Sequence, residues 1–167
     1  MSDVRIRAAV RTDLPALTQT YNYYVVNTAV TFDIDPYTPE KRLSWFEQFA
    51  PKGRYRLVIA EQDGKLIGYA GTTRFRPKPA YDTTVETTIY CAPGNVSYGI
   101  GSCLYQALFD AIAPEDIHRA VAGYAIPNPA SERLHARFGF KQVGIFHEVG
   151  RKFGRYWDVM WCEKQLR

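Results

Sequence analysis

The sequence predicts a mixed α/β fold built around an antiparallel-rich sheet. Three observations predict it. Segments of strand and helix character follow in the order β-α-α-β-β-β-α-β-α-β-β. Asp63-Gly64 joins two β-rich runs, a strong signal for a two-residue hairpin. The strand Thr83 to Cys91 feeds a glycine-bearing turn and then a helix, so unpaired backbone N–H groups face whatever lies before that helix.

The elements read as follows. Val4 to Ala9 alternates as a strand. Asp13 is expected to cap the first helix, with Pro15 in its first turn and Leu14, Leu17, Tyr21 and Tyr24 as its stripe to about Val26. Thr38-Pro39-Glu40 opens a second helix striped by Leu43, Phe46 and Phe49, which stops before Pro51 and Gly53. Tyr55 to Gln62 and Lys65 to Phe75 are the hairpin strands, and Arg76-Pro77-Lys78-Pro79 breaks into a loop. After Thr83–Cys91, the helix beyond Gly99 runs to about Ala113, where Pro114 ends it. Arg119 to Ala125 is a strand, and Ala130 to Phe138 is a helix ended by Gly139. Lys141 to Glu148 and Tyr156 to Leu166 are expected to pair around a Gly150…Gly154 loop.

At 167 residues, with no repeat, low-complexity stretch or linker, the chain is expected to form one domain over 1–167. Its 46% hydrophobic and 23% charged residues are ordinary for a globular protein. A formal charge of +4 suits an acidic small molecule but is too mild and too scattered for a nucleic-acid footprint. No window is apolar enough to span a membrane, and no signal peptide is expected. Cys91, Cys103 and Cys162 fit no metal spacing, so reduced thiols in a cytoplasmic setting and no bound metal are expected.

Strand alternation puts Thr84, Glu86, Thr88 and Tyr90 on one face, with Val85, Thr87, Ile89 and Cys91 on the other. A carboxylate in such a strand either pairs with Arg74 or Arg76 or serves as a general base for an amine, through water. The turn through Gly99 is either a plain tight turn or an anion cradle. Asn128 and Ser131 flank a helix start and can cap it. The guanidinium forks of Arg74 and Arg76 suit a carboxylate or phosphinate, or are solubilising charges. Phe32, Tyr81, Tyr105 and Tyr124 are either pocket walls or core.

Five stretches carry a resemblance over nearly the whole chain: I-R-A-A-V-R-T-D-L-P, Y-N-Y-Y-V-V-N-T-A-V-T-F, A-Y-D-T-T-V-E-T-T-I-Y, P-N-P-A-S-E-R-L-H-A-R-F-G-F and V-G-R-K-F-G-R-Y-W-D-V. With the strand–turn–G-I-G–helix element, they resemble the GCN5-related N-acetyltransferase (GNAT) superfamily and, within it, the phosphinothricin acetyltransferase-type subfamily. The resemblance implies a GNAT fold: a mixed, mostly antiparallel twisted sheet of six to seven strands flanked by about four helices. It implies acetyl-CoA as acetyl donor, a small amino-acid-like amine as acceptor (phosphinothricin, methionine sulfone or methionine sulfoximine), and a homodimer.

The same resemblance implies site residues. Glu86 stands at the proposed base and His135 at the proposed acid. Val96, Ser97, Tyr98, Gly99, Ile100, Gly101 and Ser102 surround the pyrophosphate, and main-chain groups of Ile89, Tyr90 and Cys91 hold the pantetheine arm. Asn128 lies near the substrate and the cofactor, Ser131 near the cofactor. Around the acceptor the resemblance points to Arg76, Pro77 and Lys78; Phe32, Arg74, Thr87 and Thr88 are the further candidates to join Glu86 there. The cofactor turn departs from the superfamily pattern, with Val96 at a usual Gln/Arg, Ser97 at a usual Gly and Tyr98 at a usual basic position. That loss should weaken pyrophosphate binding by about 0.5–1 kcal/mol, the scale of one exposed ion pair.

An α-amine with pKa ~8 is about a tenth to a quarter neutral near pH 7–7.5, whereas a lysine amine at ~10.4 is neutral in roughly one molecule per thousand. One water-relayed carboxylate therefore favours an α-amino acid over a lysine. Direct attack on the thioester needs no cysteine nucleophile. The alternatives are an enzyme acting on a protein N-terminus or other amine, and a non-catalytic acyl-CoA sensor.

Overall fold

The computed structural model describes residues 4–95 and 99–167. Its elements are β1 (Arg5–Ala8), α1 (Leu14–Asn27), α2 (Pro39–Phe46), β2 (Leu57–Gln62), β3 (Lys65–Arg74), β4 (Thr84–Cys91), α3 (Ile100–Ile112), β5 (Arg119–Ile126), α4 (Pro129–Arg137), β6 (Lys141–Lys152) and β7 (Arg155–Gln165). The strands form one sheet in the order β1-β2-β3-β4-β5-β7-β6. Every neighbouring pair is antiparallel except β4–β5.

Alternation along the strands sorts the core into two layers. Leu57, Ile59 and Tyr69 face α1 and α2, packing with Leu17, Trp45 and Phe46. Val58, Ala60, Ala70 and Val85 face the other way, onto Leu104, Tyr105 and Leu108 of α3. The Asp63-Gly64 hairpin forms as expected, with both residues at positive φ (51° and 72°), the backbone that a type I′ turn requires. Thr38 caps α2 through a bond from Lys41 N–H (3.3 Å), and Pro39 occupies its first turn.

Two local expectations change. Asp13 does not cap α1. It ends a short 3₁₀ turn, where its carboxylate accepts from Val10 N–H (2.8 Å) and both terminal nitrogens of Arg7 (2.7 and 2.8 Å). That ion pair takes the oxygens a cap would use; burial pushes the Asp13 pKa up, but the bonds from Arg7 and Val10 together hold it below its ordinary value. Nor is Gly150 in a loop. β6 continues to Lys152, and the turn is Phe153-Gly154, both at positive φ (53° and 72°). A register shift between Phe146 and Gly150, with Glu148 at φ 53°, absorbs the extra residues as a bulge.

Candidate active site

The sheet divides in its middle. β4 and β5 pair only at Thr84–Glu86 with Arg119–Val121. Beyond Glu86, β4 stays on β3 as far as Cys91, while β5 follows β7 to Ile126. A gap therefore opens after Glu86. Thr83 C=O accepts from His118 and Arg119 N–H (2.8 and 3.2 Å), and Ala92 N–H donates to Ile67 C=O (2.9 Å). By the two-residue period, odd-numbered residues of β4 turn their main chain toward the gap and even-numbered ones toward β3. Ile89 thus offers its N–H and C=O to the gap. The Cys91 carbonyl is already taken by the Tyr24 hydroxyl (2.6 Å). Tyr90 differs from expectation: its main chain serves β3, and its ring lines a cavity on the Glu86 face.

The start of α3 lies against this gap. Gly99 precedes it at φ 73°, a left-handed backbone that glycine adopts freely. A Cβ on Gly101 would stand 3.3 Å from Leu134 and 3.6 Å from Ile89, so this glycine allows close approach to the strand. Ile100 is buried. Ser102 Oγ accepts from Arg137 Nη1 (3.1 Å), which puts an exposed cation beside the first turn of α3. The predicted cradle residues Val96, Ser97 and Tyr98 lie outside the described residues.

Glu86 opens onto a cavity of about 450 Å³ walled by Phe32, Thr88, Tyr90, Tyr124 and Trp161. Burial raises its pKa above the ordinary 4.5, and the charge of Arg76 works against that rise. Gly123 pairs with Trp161 across β5–β7, and a Cβ there would meet the indole at 3.0 Å. Phe32 lies on Gly150: a Cβ on Gly150 would be 2.1 Å from the ring. Lys152, buried two residues on, donates from Nζ to Thr31 C=O (2.8 Å). The β6–β7 hairpin thus pins the segment carrying Phe32.

Behind the sheet, on the α3 side, lies a buried chain. The His135 Nδ1 is 2.7 Å from Ser131 C=O, and its Nε2 is 2.8 Å from the Tyr105 hydroxyl. A carbonyl only accepts, so Nδ1 carries the proton and Nε2 of the neutral ring accepts from Tyr105. Burial lowers the His135 pKa, favouring that neutral ring. Tyr105 is fully buried and lies 3.2 Å from Thr87 Oγ1. Thr87 is on this face, whereas Thr88 is on the Glu86 face. Asn128 caps α4 by accepting from Ser131 N–H (3.1 Å).

The predicted substrate loop sits on the surface. Arg74 pairs with Asp82 (3.3 Å), Arg76 stacks on Phe75 (4.9 Å), and Pro77 and Lys78 are exposed. Tyr81 is exposed beside Phe75, and Tyr105 is core; neither walls the cavity. The sequence reading missed Trp161, whose signal was the facing Gly123, and Gly150, which looked like a loop glycine. It also missed Arg42, which follows Lys41 in the second helix and carries no signal of its own.

The comparisons agree with this geometry. The acetyltransferase (GNAT) domain family matches residues 6–161. A phosphinothricin N-acetyltransferase of Streptomyces coelicolor is 54% identical over 99% of this chain and 98% of its own length. An L-methionine sulfoximine/L-methionine sulfone acetyltransferase of Pseudomonas paraeruginosa is 34% identical, over 96% of this chain and 94% of that protein. Among solved structures, a phosphinothricin acetyltransferase of Sinorhizobium meliloti in complex with acetyl-CoA superimposes with a TM-score of 0.92 at 29% identity, covering 99% and 89% of the two chains. Domain match, full-length relatives and split sheet agree: the chain belongs to the GNAT family and is an acetyl-CoA-dependent N-acetyltransferase.

Proposed function

We propose that the protein acetylates the α-amine of a small amino acid of the phosphinothricin or methionine sulfoximine type, with Glu86 as general base. The observation that carries it is the half-buried Glu86 carboxylate at the point where β4 and β5 part, opening onto a cavity of about 450 Å³. Acetyl-CoA would lie along the open edge of β4 as an added strand, using Ile89 N–H and C=O. The gap reaches the Glu86 end of β4, which supports the thioester ending near that carboxylate.

The amine reaches the cavity largely as ammonium. Glu86, through a water, takes one proton and leaves a lone pair on nitrogen. That nitrogen attacks the thioester carbonyl carbon. The C–S bond then breaks and the CoA thiolate departs; Glu86, having passed its first proton on to solvent, takes the second amine proton through the same relay. A thiol of pKa about 8.5 leaves readily as thiolate and takes its proton from solvent, so no dedicated acid is required. His135 is then a positioning residue, holding Tyr105 against Thr87 behind the gap. Arg76, whose charge already reaches Glu86, supports binding of the acceptor's α-carboxylate.

Burial pushes the Cys91 thiol up to about 11. A protonated thiol is a poor nucleophile, which favours direct transfer without an acetyl-cysteine. The three free cysteines and the need for acetyl-CoA suit a cytoplasmic enzyme. A homodimer is supported by β6, an edge strand with exposed Val143, Phe146 and Val149.

A thiol-release assay with a panel of amino acids, short peptides and polyamines tests the substrate class. Turnover with phosphinothricin or methionine sulfone is expected. Turnover confined to peptides or polyamines would overturn the proposal.

A further inference from the structure

A second cavity, of about 300 Å³, adjoins the catalytic one; Thr88 and Tyr90 line both. Its inner wall is Arg42, on α2 and only 5% exposed. The guanidinium is held between the faces of Trp45 (3.8 Å) and Tyr21 (4.2 Å). Stacking occupies the faces of the guanidinium and leaves its N–H donors, which lie in its plane, for hydrogen bonding. Of five donors, one bonds Leu17 C=O (3.2 Å). No carboxylate pairs with it among the described residues. Beside it the fully buried Tyr69 hydroxyl makes no hydrogen bond of ordinary geometry among the described residues, and the Arg42 guanidinium lies close enough to act on it.

Buried donors without acceptors and a buried cation without a counter-charge are both costly arrangements. The carboxylate in this cavity, Asp33, accepts from the Tyr21 hydroxyl and makes no ion pair with Arg42. Arg42 and Tyr69 therefore face space that an anion would complete. Lys41 adds a second cation at the rim.

We propose that this cavity is an anion subsite, in which Arg42 and Tyr69 hold an acidic group on the acceptor's side chain, a phosphinate or carboxylate. The proposal rests on the small-acceptor reading above and extends it. Glu86, Thr88 and Tyr90 follow on one face of β4, each step about 6.6 Å. An α-amino acid with its amine at Glu86 and an acid four or five bonds away spans about one such step, to Thr88, which lines the cavity that holds Arg42. Arg76, on the loop beyond β3, remains for the α-carboxylate. The two guanidinium sites would thus read the two anionic groups of one substrate.

The test compares phosphinothricin, with an anionic side chain, and methionine sulfone, with a neutral one of similar length. Tyr69→Phe removes only the hydroxyl beside Arg42, so its thermal stability should stay close to that of the wild type. Its KM for phosphinothricin should rise roughly tenfold, the loss of one charged hydrogen bond. Its KM values for methionine sulfone and acetyl-CoA should stay within twofold. Arg42→Lys should show the same selectivity with a larger phosphinothricin loss. Equal losses on both acceptors, or none, overturn the subsite. Calorimetry without acetyl-CoA separates the two proposals. Wild-type protein that acetylates methionine sulfone but binds phosphinothricin no more tightly than that neutral acceptor removes the subsite alone. Protein that binds phosphinothricin through Arg42 yet acetylates no amino acid removes the acceptor reading alone.

Discussion

Adding one methyl group at Gly150 should perturb acceptor binding from the second layer of the cavity wall. Gly150 has no positive φ, so its backbone accepts alanine; the obstacle is Phe32. The new Cβ would lie 2.1 Å from Phe32 Cε2, and 2.5 Å from Cδ2 and Cζ. Ordinary contact begins at 3.4 Å, so the ring must retreat by about 1.3 Å. The backbone cannot take up that shift freely, because Lys152 on the same strand holds Thr31 C=O at 2.8 Å. The ring must pivot within the cavity that faces Glu86. Overpacking of this kind costs about 1–3 kcal/mol, visible as a lower Tm. A displacement near 1 Å at an acceptor wall lowers kcat/KM for the amine by up to ~10²-fold. The acetyl-CoA KM should change little. Phe32→Ala in the Gly150→Ala background should recover stability non-additively. Gly150→Ala protein with wild-type Tm and wild-type amine KM would refute the reasoning.

Other perturbations follow from the same geometry. Arg137→Ala removes the cation that bonds Ser102 at the start of α3, and should raise the acetyl-CoA KM about two- to fivefold, an exposed-pair effect of ~0.5–1 kcal/mol that fades with salt. Tyr105→Phe leaves His135 Nε2 unpartnered, and should lower Tm while leaving the high-pH limb of the rate profile in place; loss of that limb would make the pair the acid. Glu86 has its pKa raised by burial, so in the folded state its charged form is disfavoured. Its contribution to stability is present below the ordinary 4.5 and is lost as pH rises through the raised folded value. Glu86→Gln should therefore melt higher than wild type at pH 7, an advantage that disappears in acid. Arg76→Gln should move the acid limb of kcat/KM upward, since its charge now holds the Glu86 pKa down.

Much of this molecule can be read in the sequence where one local rule acts alone. Alternation in Thr83–Cys91 put Glu86, Thr88 and Tyr90 on one face, and the structure keeps that sorting, with Val85 and Thr87 buried beneath. Asp63-Gly64 made the turn its residues require. The misreadings arise where a distant partner decides. Asp13 has every mark of a cap, but Arg7, six residues back, claims its carboxylate. Gly150 carries a turn residue's label because glycine usually marks a turn; here it makes room for Phe32, and the turn goes to Phe153, an unusual residue at positive φ. Arg42 sits among Leu43, Trp45 and Phe46 and reads as the polar edge of an amphipathic helix, yet two aromatic faces draw it inward. The split between β4 and β5 is a matter of tertiary pairing, and no residue pattern on either strand announces it.

The most direct measurement is kcat of Glu86→Gln at saturating acetyl-CoA and amine, with acetyl-CoA affinity determined alongside. A water-relayed general base predicts a fall of about 10²–10⁴-fold with acetyl-CoA affinity unchanged, and partial recovery at high pH where the amine is already neutral. A variant that turns over at the wild-type rate near neutral pH would contradict the account.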